Sequence, residues 1–214
     1  MINILIILGL YALVFLGSEF VYRKFHFPFL ASRKIAHIMG SVVSFFLPYF
    51  VSNIVAIGIG VLFSVIIIIS KKKYFFKSIH DKEGTSVGEV LFPLGIALSA
   101  AVVWPMSIIA YQGSCLVLGL SDGLAGYFGG LYGKRVYIIM GGKKTVEGST
   151  IFFISSLFVF TLYYLWLNHT SPGEVFMLII YALIITLIEA IFSRGWDNLI
   201  IPITSGLLFL AILY

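Results

Sequence analysis

Of 214 residues, 60% are hydrophobic and 11% are charged, less than half the roughly 25% charge of a soluble domain. A chain this short cannot hide that much apolar surface from water, so lipid is its solvent and a water-soluble domain is excluded. The single cysteine, Cys115, excludes an internal disulfide, and the net charge of +5 has to be read from where the basic residues fall.

Crossing a bilayer takes about 20 apolar residues. The first such stretch is 2–21; it has no positive n-region and no small-residue cleavage site, so it reads as an anchor rather than a removed signal. Stretches 35–50 and 52–69 come next, with a short turn between them. Then come 87–103, ended by Trp104-Pro105, and the long glycine-rich 107–131. The last three are 150–167, 175–192 and 199–213. The expectation is an all-α polytopic membrane bundle of about eight transmembrane helices, forming one domain over 1–214.

The basic residues sort onto that map. Arg23, Lys24, Arg33 and Lys34 fall between the first and second stretches, and Lys71, Lys72, Lys73, Lys77 and Lys82 between the third and fourth. Lys134, Arg135, Lys143 and Lys144 fall between the fifth and sixth, and Arg194 between the last two. All fourteen lie in odd-numbered connections. Lys and Arg resist translocation, so these connections are expected on the cytoplasmic side with both termini outside. Nucleic acid is then not needed to explain the charge. The Lys71-Lys72-Lys73 run reads as an anchor on the inner leaflet, Trp104 and Trp166 as part of the outer aromatic belt, and His26, His80 and His169 as loop residues without a role.

Asp122 has apolar sequence on both sides, and a carboxylate inside a span is costly unless it is partnered. It is either a helix–helix hydrogen bond or a metal or proton site. Asp122, Gly126, Gly129 and Gly133 step by four, three and four, which places them on one helix face. Such a face can mean close helix packing. Here, however, Lys134, a Gly141-Gly142 turn, Lys143, Lys144, Thr145, Glu147 and Ser149 come directly after it. Glycines let a backbone approach closely, lysines neutralise phosphate, and an aspartate can hold Mg²⁺ against phosphate oxygens. The spacing is not that of a Walker A loop, yet the combination reads as a triphosphate site. At the second stretch, His37 shares a face with Arg33, Gly40, Ser41 and Ser44; it is either a packed partner or a contact to phosphate or to a substrate hydroxyl.

The stretch from Asp122 to Ser149 resembles the lipid-alcohol kinases, the family that includes dolichol kinase, phytol kinase and the CTP-dependent diacylglycerol kinase. Three further segments resemble family motifs in the same order. They are Arg33-Lys34-x-x-His37-x-x-Gly40; Gly84-Thr85 with Gly88-Glu89-x-x-Phe92-Pro93; and Glu189 with Gly195-x-Asp197-Asn198 and Pro202. The resemblance implies phosphoryl transfer from CTP, with Mg²⁺, to a membrane-embedded alcohol. The same elements resemble the phosphatidate cytidylyltransferases, but the PGHGG and DRxD signature of those enzymes is missing and the chain runs RGWDNLIIP instead. A CDP-lipid-forming enzyme is therefore the alternative. A solute transporter is a weaker one, since no internal repeat is visible.

In those terms Asp122, with Asp197 or Glu189, is expected to hold Mg²⁺. Lys143, Lys144 and Lys134, with Arg33 and Lys34 from the facing connection, are expected to hold phosphates beside Gly126, Gly129, Thr145, Ser149 and Asn198. Glu147, Glu89 or His37 is expected to take the proton of the alcohol. The partners are thus a nucleoside triphosphate, a lipid alcohol and the bilayer. The absence of extra N-terminal helices points to a compact prokaryotic enzyme of the cell membrane. The charge sorting yields a direct test: cysteines introduced at positions 72 and 143 should react with an impermeant reagent only from the cytoplasmic side, and one at 170 only from outside. Labelling of position 143 from outside reverses the orientation.

Overall fold

The computed structural model describes residues 2–73, 75–80, 86–140, 142–167 and 172–213. Eight helices run through them, at the eight expected places. These are α1 (Ile2–Lys24), α2 (Phe29–Phe46), α3 (Asn53–Lys73), α4 (Gly88–Val102), α5 (Ile108–Tyr132), α6 (Val146–Trp166), α7 (Pro172–Ile191) and α8 (Asp197–Leu213). Five of them (α1, α2 with its extension to Tyr49, α3, α5 and α6) are long and apolar enough to cross a membrane, and the other three are shorter apolar helices. The chain is a helical bundle with the character of a multi-pass membrane protein.

The structure corrects the sequence expectation in three places. First, α2 begins at Phe29, directly after Pro28, so Arg33 and Lys34 stand on its opening turns rather than in a connection. Hydropathy discounts charged residues, whereas a helix keeps them wherever they find partners. Second, the bundle is not purely helical. Val136–Ile139 (β1) and Gly142–Thr145 (β2) form an antiparallel hairpin in which Ile138 faces Lys143 and Tyr137 faces Lys144. Third, Trp104 is not at the lipid interface; it is buried, its ring 4.8 Å from that of Tyr111. Trp166 is exposed.

Lipid tails are as apolar as leucine, so helices in a membrane associate through close packing and hydrogen bonds. Both are present. A Cβ on Gly60 of α3 would strike the Pro93 carbonyl and Ala97 of α4, and one on Gly95 of α4 would strike the backbone of Asn198 and the ring of Pro202 on α8. Gly129 of α5 lies against Gly148 of α6 in the same way. Buried hydroxyls are paired across helices, Tyr11 with Ser44 at 2.7 Å and Ser99 with Ser114 at 2.9 Å. Tyr111, Phe152, Phe160 and Phe209 fill the centre.

These contacts separate two kinds of glycine. Gly95→Ala forces a methyl group into the backbone of α8 and should destabilise the bundle by about 1–3 kcal/mol, seen as a lower unfolding midpoint in detergent. Gly58, in the same class of apolar helix, has open space around it. Gly58→Ala should be neutral or stabilising by about 0.5–1 kcal/mol.

Candidate active site

Arg33, Lys34 and His37 project from the first turns of α2 toward two different acids. Lys34 Nζ donates to Asp122 Oδ2 at 2.9 Å and to the Asp122 carbonyl at 3.1 Å. His37 Nε2 lies 2.9 Å from the Leu118 carbonyl and 3.2 Å from Asp122 Oδ2. Asp122 closes a π-helical turn of α5, Val117–Asp122. A π turn adds a residue to the spiral and frees carbonyls from the regular ladder, which is why such turns gather at functional sites. Here two of those carbonyls take the α2 side chains. Asp122 is 9% exposed at its side chain and Lys34 17%, so this is a largely buried pair.

The hairpin supplies the next cations. Side chains alternate along a strand, and Lys143 is exposed while Lys144 turns inward. Lys144 Nζ sits between Glu189 of α7 and Asp197 of α8, 3.0 Å from Asp197 Oδ2. Burial alone would lower the pKa of this amine, but the two carboxylates outweigh burial and hold it above its ordinary value. Thr145 ends the strand and caps α6, its Oγ1 accepting from Gly148 N at 3.1 Å. Ser149 is 2.6 Å from the Tyr137 hydroxyl and 3.5 Å from Glu189. Together Lys34, Asp122, Gly126, Gly129, Lys143, Lys144, Thr145, Ser149, Glu189 and Asp197 line an open cavity of about 290 Å³.

A second cavity, of about 50 Å³, lies on the other side of Lys34, lined by Arg33, His37, Glu89, Phe92 and Asn198 among others. Glu89 is its acid. Lys71 Nζ is 2.8 Å from it, Arg33 3.7 Å and His80 Nδ1 3.8 Å, and its side chain is 3% exposed. Lys71 also donates to the Ser86 carbonyl at 2.8 Å. Asn198 donates from Nδ2 to the Gly88 carbonyl at 2.8 Å, which ties the start of α8 to the start of α4.

The expected site residues therefore divide. Lys34, Asp122, Gly126, Gly129, Lys143, Lys144, Thr145, Ser149, Asp197 and Glu189 come together around one cavity; Arg33, Glu89 and Asn198 lie at the other, and His37 reaches Asp122 from it. Glu147 and Lys134 line neither. Glu147 accepts from the backbone amides of Lys134 and Arg135, each at 3.2 Å, and from Arg135 Nε at 3.2 Å, so it stitches the end of α5 to the hairpin. Gly133 packs against Thr145. Gly84, Thr85 and Gly141 lie outside the described residues. Two side chains given other roles by sequence belong here: Lys71, expected at the membrane surface, and His80, which is buried with Nε2 2.8 Å from Ser70 Oγ. A period of 3.6 turns Lys71 inward while Lys72 and Lys73 stay exposed. That was the available signal.

The carboxylates expected to hold Mg²⁺ do not stand as a ready ligand trio, and among the described residues no group of three His, Cys, Asp or Glu is close enough to be one. Mg²⁺ does not need such a trio. It keeps waters and usually takes one or two carboxylates together with substrate phosphates. Asp122, Glu189 and Asp197 all face the cavity with the right hard oxygen donors. The donor set fits a nucleotide-borne Mg²⁺.

No family model matches the chain, and no solved structure does. Among curated proteins it is similar to a phytol kinase of Synechocystis sp., 27% identical over 200 residues that make up 91% of this chain and 84% of that enzyme. The resemblance to the lipid-alcohol kinases is borne out at the level of the family, along nearly the whole chain.

The Lys34–Asp122 pair can be tested apart from activity. Removing one member of a buried pair strands the other charge, so Lys34→Met should cost about 3–5 kcal/mol of stability. Adding Asp122→Asn should recover a good part of that loss. Additive losses in the double variant would mean that the two side chains are not coupled.

Proposed function

We propose that this chain is a CTP-dependent kinase that transfers the γ-phosphoryl group of CTP to the hydroxyl of a membrane lipid alcohol at the cytoplasmic face of the membrane. Polyprenol, dolichol, phytol, geranylgeraniol and diacylglycerol are the acceptors in view. The observation that carries the reading is the cavity in which Lys34, Lys143 and Lys144 converge with three carboxylates, at the end of the bundle where the chain collects its basic residues. The similarity to a phytol kinase supports the same reading.

In this reading Lys143 meets the triphosphate at the rim, and Lys144 and Lys34 take it deeper in. Phosphoryl transfer asks a protein mainly for positioning and for charge aimed at the phosphoryl oxygens. Asp122, with Glu189 or Asp197, would hold Mg²⁺, which would supply neutralisation of the phosphate charge. The hydroxyl oxygen attacks the γ-phosphorus as the bond to the β,γ-bridging oxygen breaks, and CDP leaves. His37 receives the proton. Its Nε2 faces two acceptors, the Leu118 carbonyl and Asp122 Oδ2, so Nε2 carries hydrogen and Nδ1 keeps a free lone pair. The imidazolium formed is stabilised by Asp122, whose Oδ2 lies 3.2 Å from Nε2.

Incubating purified protein with labelled CTP and a panel of lipid alcohols tests the function. A lipid monophosphate is the expected product; a CDP-lipid would make the chain a cytidylyltransferase, and neither product with solute flux in liposomes would make it a transporter. Within the kinase, Lys144→Gln should lower kcat/KM by about 100-fold. Lys143→Gln, at an exposed position, should cost about fivefold or less through the KM for CTP. Lys→Arg should keep part of the activity and Lys→Glu none, because glutamate repels the triphosphate. Lys72→Gln should behave like the natural protein, and equal effects at Lys72 and Lys144 would move the nucleotide to another connection.

A further inference from the structure

The cavity beside Glu89 has an apolar neighbour deeper in the bundle. A third, deeper cavity shares two walls with it, Phe15 of α1 and Phe92 of α4, and is otherwise lined by apolar residues of α1 to α4. The polar exceptions are Tyr11 and Ser44, whose hydroxyls satisfy each other at 2.7 Å. From Ala36 to Leu47, which line the two cavities, α2 rises about 16 Å. The two cavities line up as a narrow column with a charged mouth and an apolar interior, interrupted by Phe15 and Phe92, and Lys34 lines both the mouth and the lysine cavity.

Among the described residues, two buried acceptors at the mouth, Glu89 Oε2 and Asn198 Oδ1, have no hydrogen-bond partner, and His37 Nδ1 is a third acceptor there. Glu89 Oε2 is buried and accepts no hydrogen bond from the described residues, with the Arg33 guanidinium 3.7 Å away as its charge partner. A buried acceptor left unmade is costly, and a hydroxyl donor would relieve it. His37 makes its hydrogen bonds through Nε2 and packs its ring 4.5 Å from that of Phe92 at the wall of the column, leaving Nδ1 as an acceptor. The width of the column decides which tail the hydroxyl can carry. The deep cavity measures about 10 Å³, room for about one water, so a hydrocarbon tail enters only where the Phe15, Phe63 and Phe92 rings turn aside, and each further chain needs a larger opening. Phe15 and Phe63, with ring centres 5.5 Å apart, form the seam between α1 and α3, and α1 is largely exposed beside it.

We propose that this column is the acceptor site: a single-chain lipid alcohol enters between α1 and α3, lays its tail against Phe15, Phe63 and Phe92, and presents its hydroxyl to Glu89 and His37 across Lys34 from the nucleotide. The proposal rests on the kinase reading and narrows it to single-chain acceptors, which need the smaller opening.

A photoreactive single-chain prenol with a diazirine in its tail, added to the full-length protein in phosphatidylcholine vesicles, tests the site without turnover. Peptide mapping should place the cross-links on Phe15, Ile59 or Phe63, and an unlabelled single-chain alcohol should compete where diacylglycerol does not. Cross-links confined to the outer faces of the bundle, none at all, or equal competition by diacylglycerol overturns the proposal. If the panel with labelled CTP gives a lipid monophosphate while the label maps elsewhere, the acceptor site is wrong and the kinase stands; if the label maps to the column and no acceptor is phosphorylated, the kinase reading is what fails. Kinetics give a second check. Ala56 lines the deep cavity and is buried. Ala56→Phe should raise KM for a long prenol by about tenfold or more relative to a short one, and an equal rise for both chain lengths would take the tail out of the column.

Discussion

A carboxylate inside an apolar bundle costs several kcal/mol unless a cation meets it there, and in this chain the cation for Asp122 comes from the far side of the site, from Lys34 on α2. That constraint sets the helix positions around it. For the lysine to arrive, α2 must cross α5 closely, and at Gly126 a Cβ would occupy the path of the Lys34 side chain. For Asp122 to receive both Lys34 and His37, the α5 backbone must open locally, and it does so in the π turn. The glycine face that sequence reads as room for phosphate is, in the structure, also room for this ion pair.

The other polar segments are joined by the same logic. Val87 N donates to the Arg194 carbonyl at 3.0 Å, and Asn198 donates to Gly88, so the start of α4 is held against the turn between α7 and α8. Gly195 in that turn has φ +99° and lies against the Gly88 backbone, a place where a side chain would be both strained and obstructed. Residues more than one hundred positions apart thus close one end of the bundle. Arg33 reaches Glu89, Lys34 reaches Asp122, and Lys144 spans Glu189 and Asp197. Each pair crosses from one helix or strand to another, so the charges that mark the site also tie its walls together.

The spans were legible because about 20 apolar residues is a strong signal, and the convergence of Asp122 with Lys143 and Lys144 was legible because all three lie in one short stretch. Three things were not. The start of α2 was hidden because hydropathy treats Arg33 and Lys34 as loop residues, although both find carboxylates inside the bundle. The hairpin was hidden because its strands are four residues each and one of them is Gly-Lys-Lys-Thr, without an apolar alternation to read. Glu147 was drawn toward chemistry by its neighbours in sequence, whereas its carboxylate is engaged with the backbone amides of Lys134 and Arg135. Sequence adjacency brought it near the lysines and the turn into α6 pointed it away.

Charge balance at the lysine cavity has a further consequence under the kinase reading. Lys34, Lys143 and Lys144 face Asp122, Glu189 and Asp197, three charges of each sign. A triphosphate arriving without its metal would find the lysines but also three like-charged carboxylates, and a divalent cation alone would find the carboxylates already held by ammonium groups. Arriving together, each component would relieve the other's conflict: lysine ends would turn to phosphate oxygens, and the carboxylates they release would be free to hold the metal. Only side-chain termini need to move, because the helices that carry them are fixed by glycine contacts and cross-helix hydrogen bonds. Metal and nucleotide affinities are then positively coupled, and by thermodynamic reciprocity each raises the other by the same factor. Under the kinase reading, the ion pairs that tie the bundle together without ligand, Lys34 with Asp122 and Lys144 with Glu189 and Asp197, are the ones that a metal–nucleotide complex would exchange.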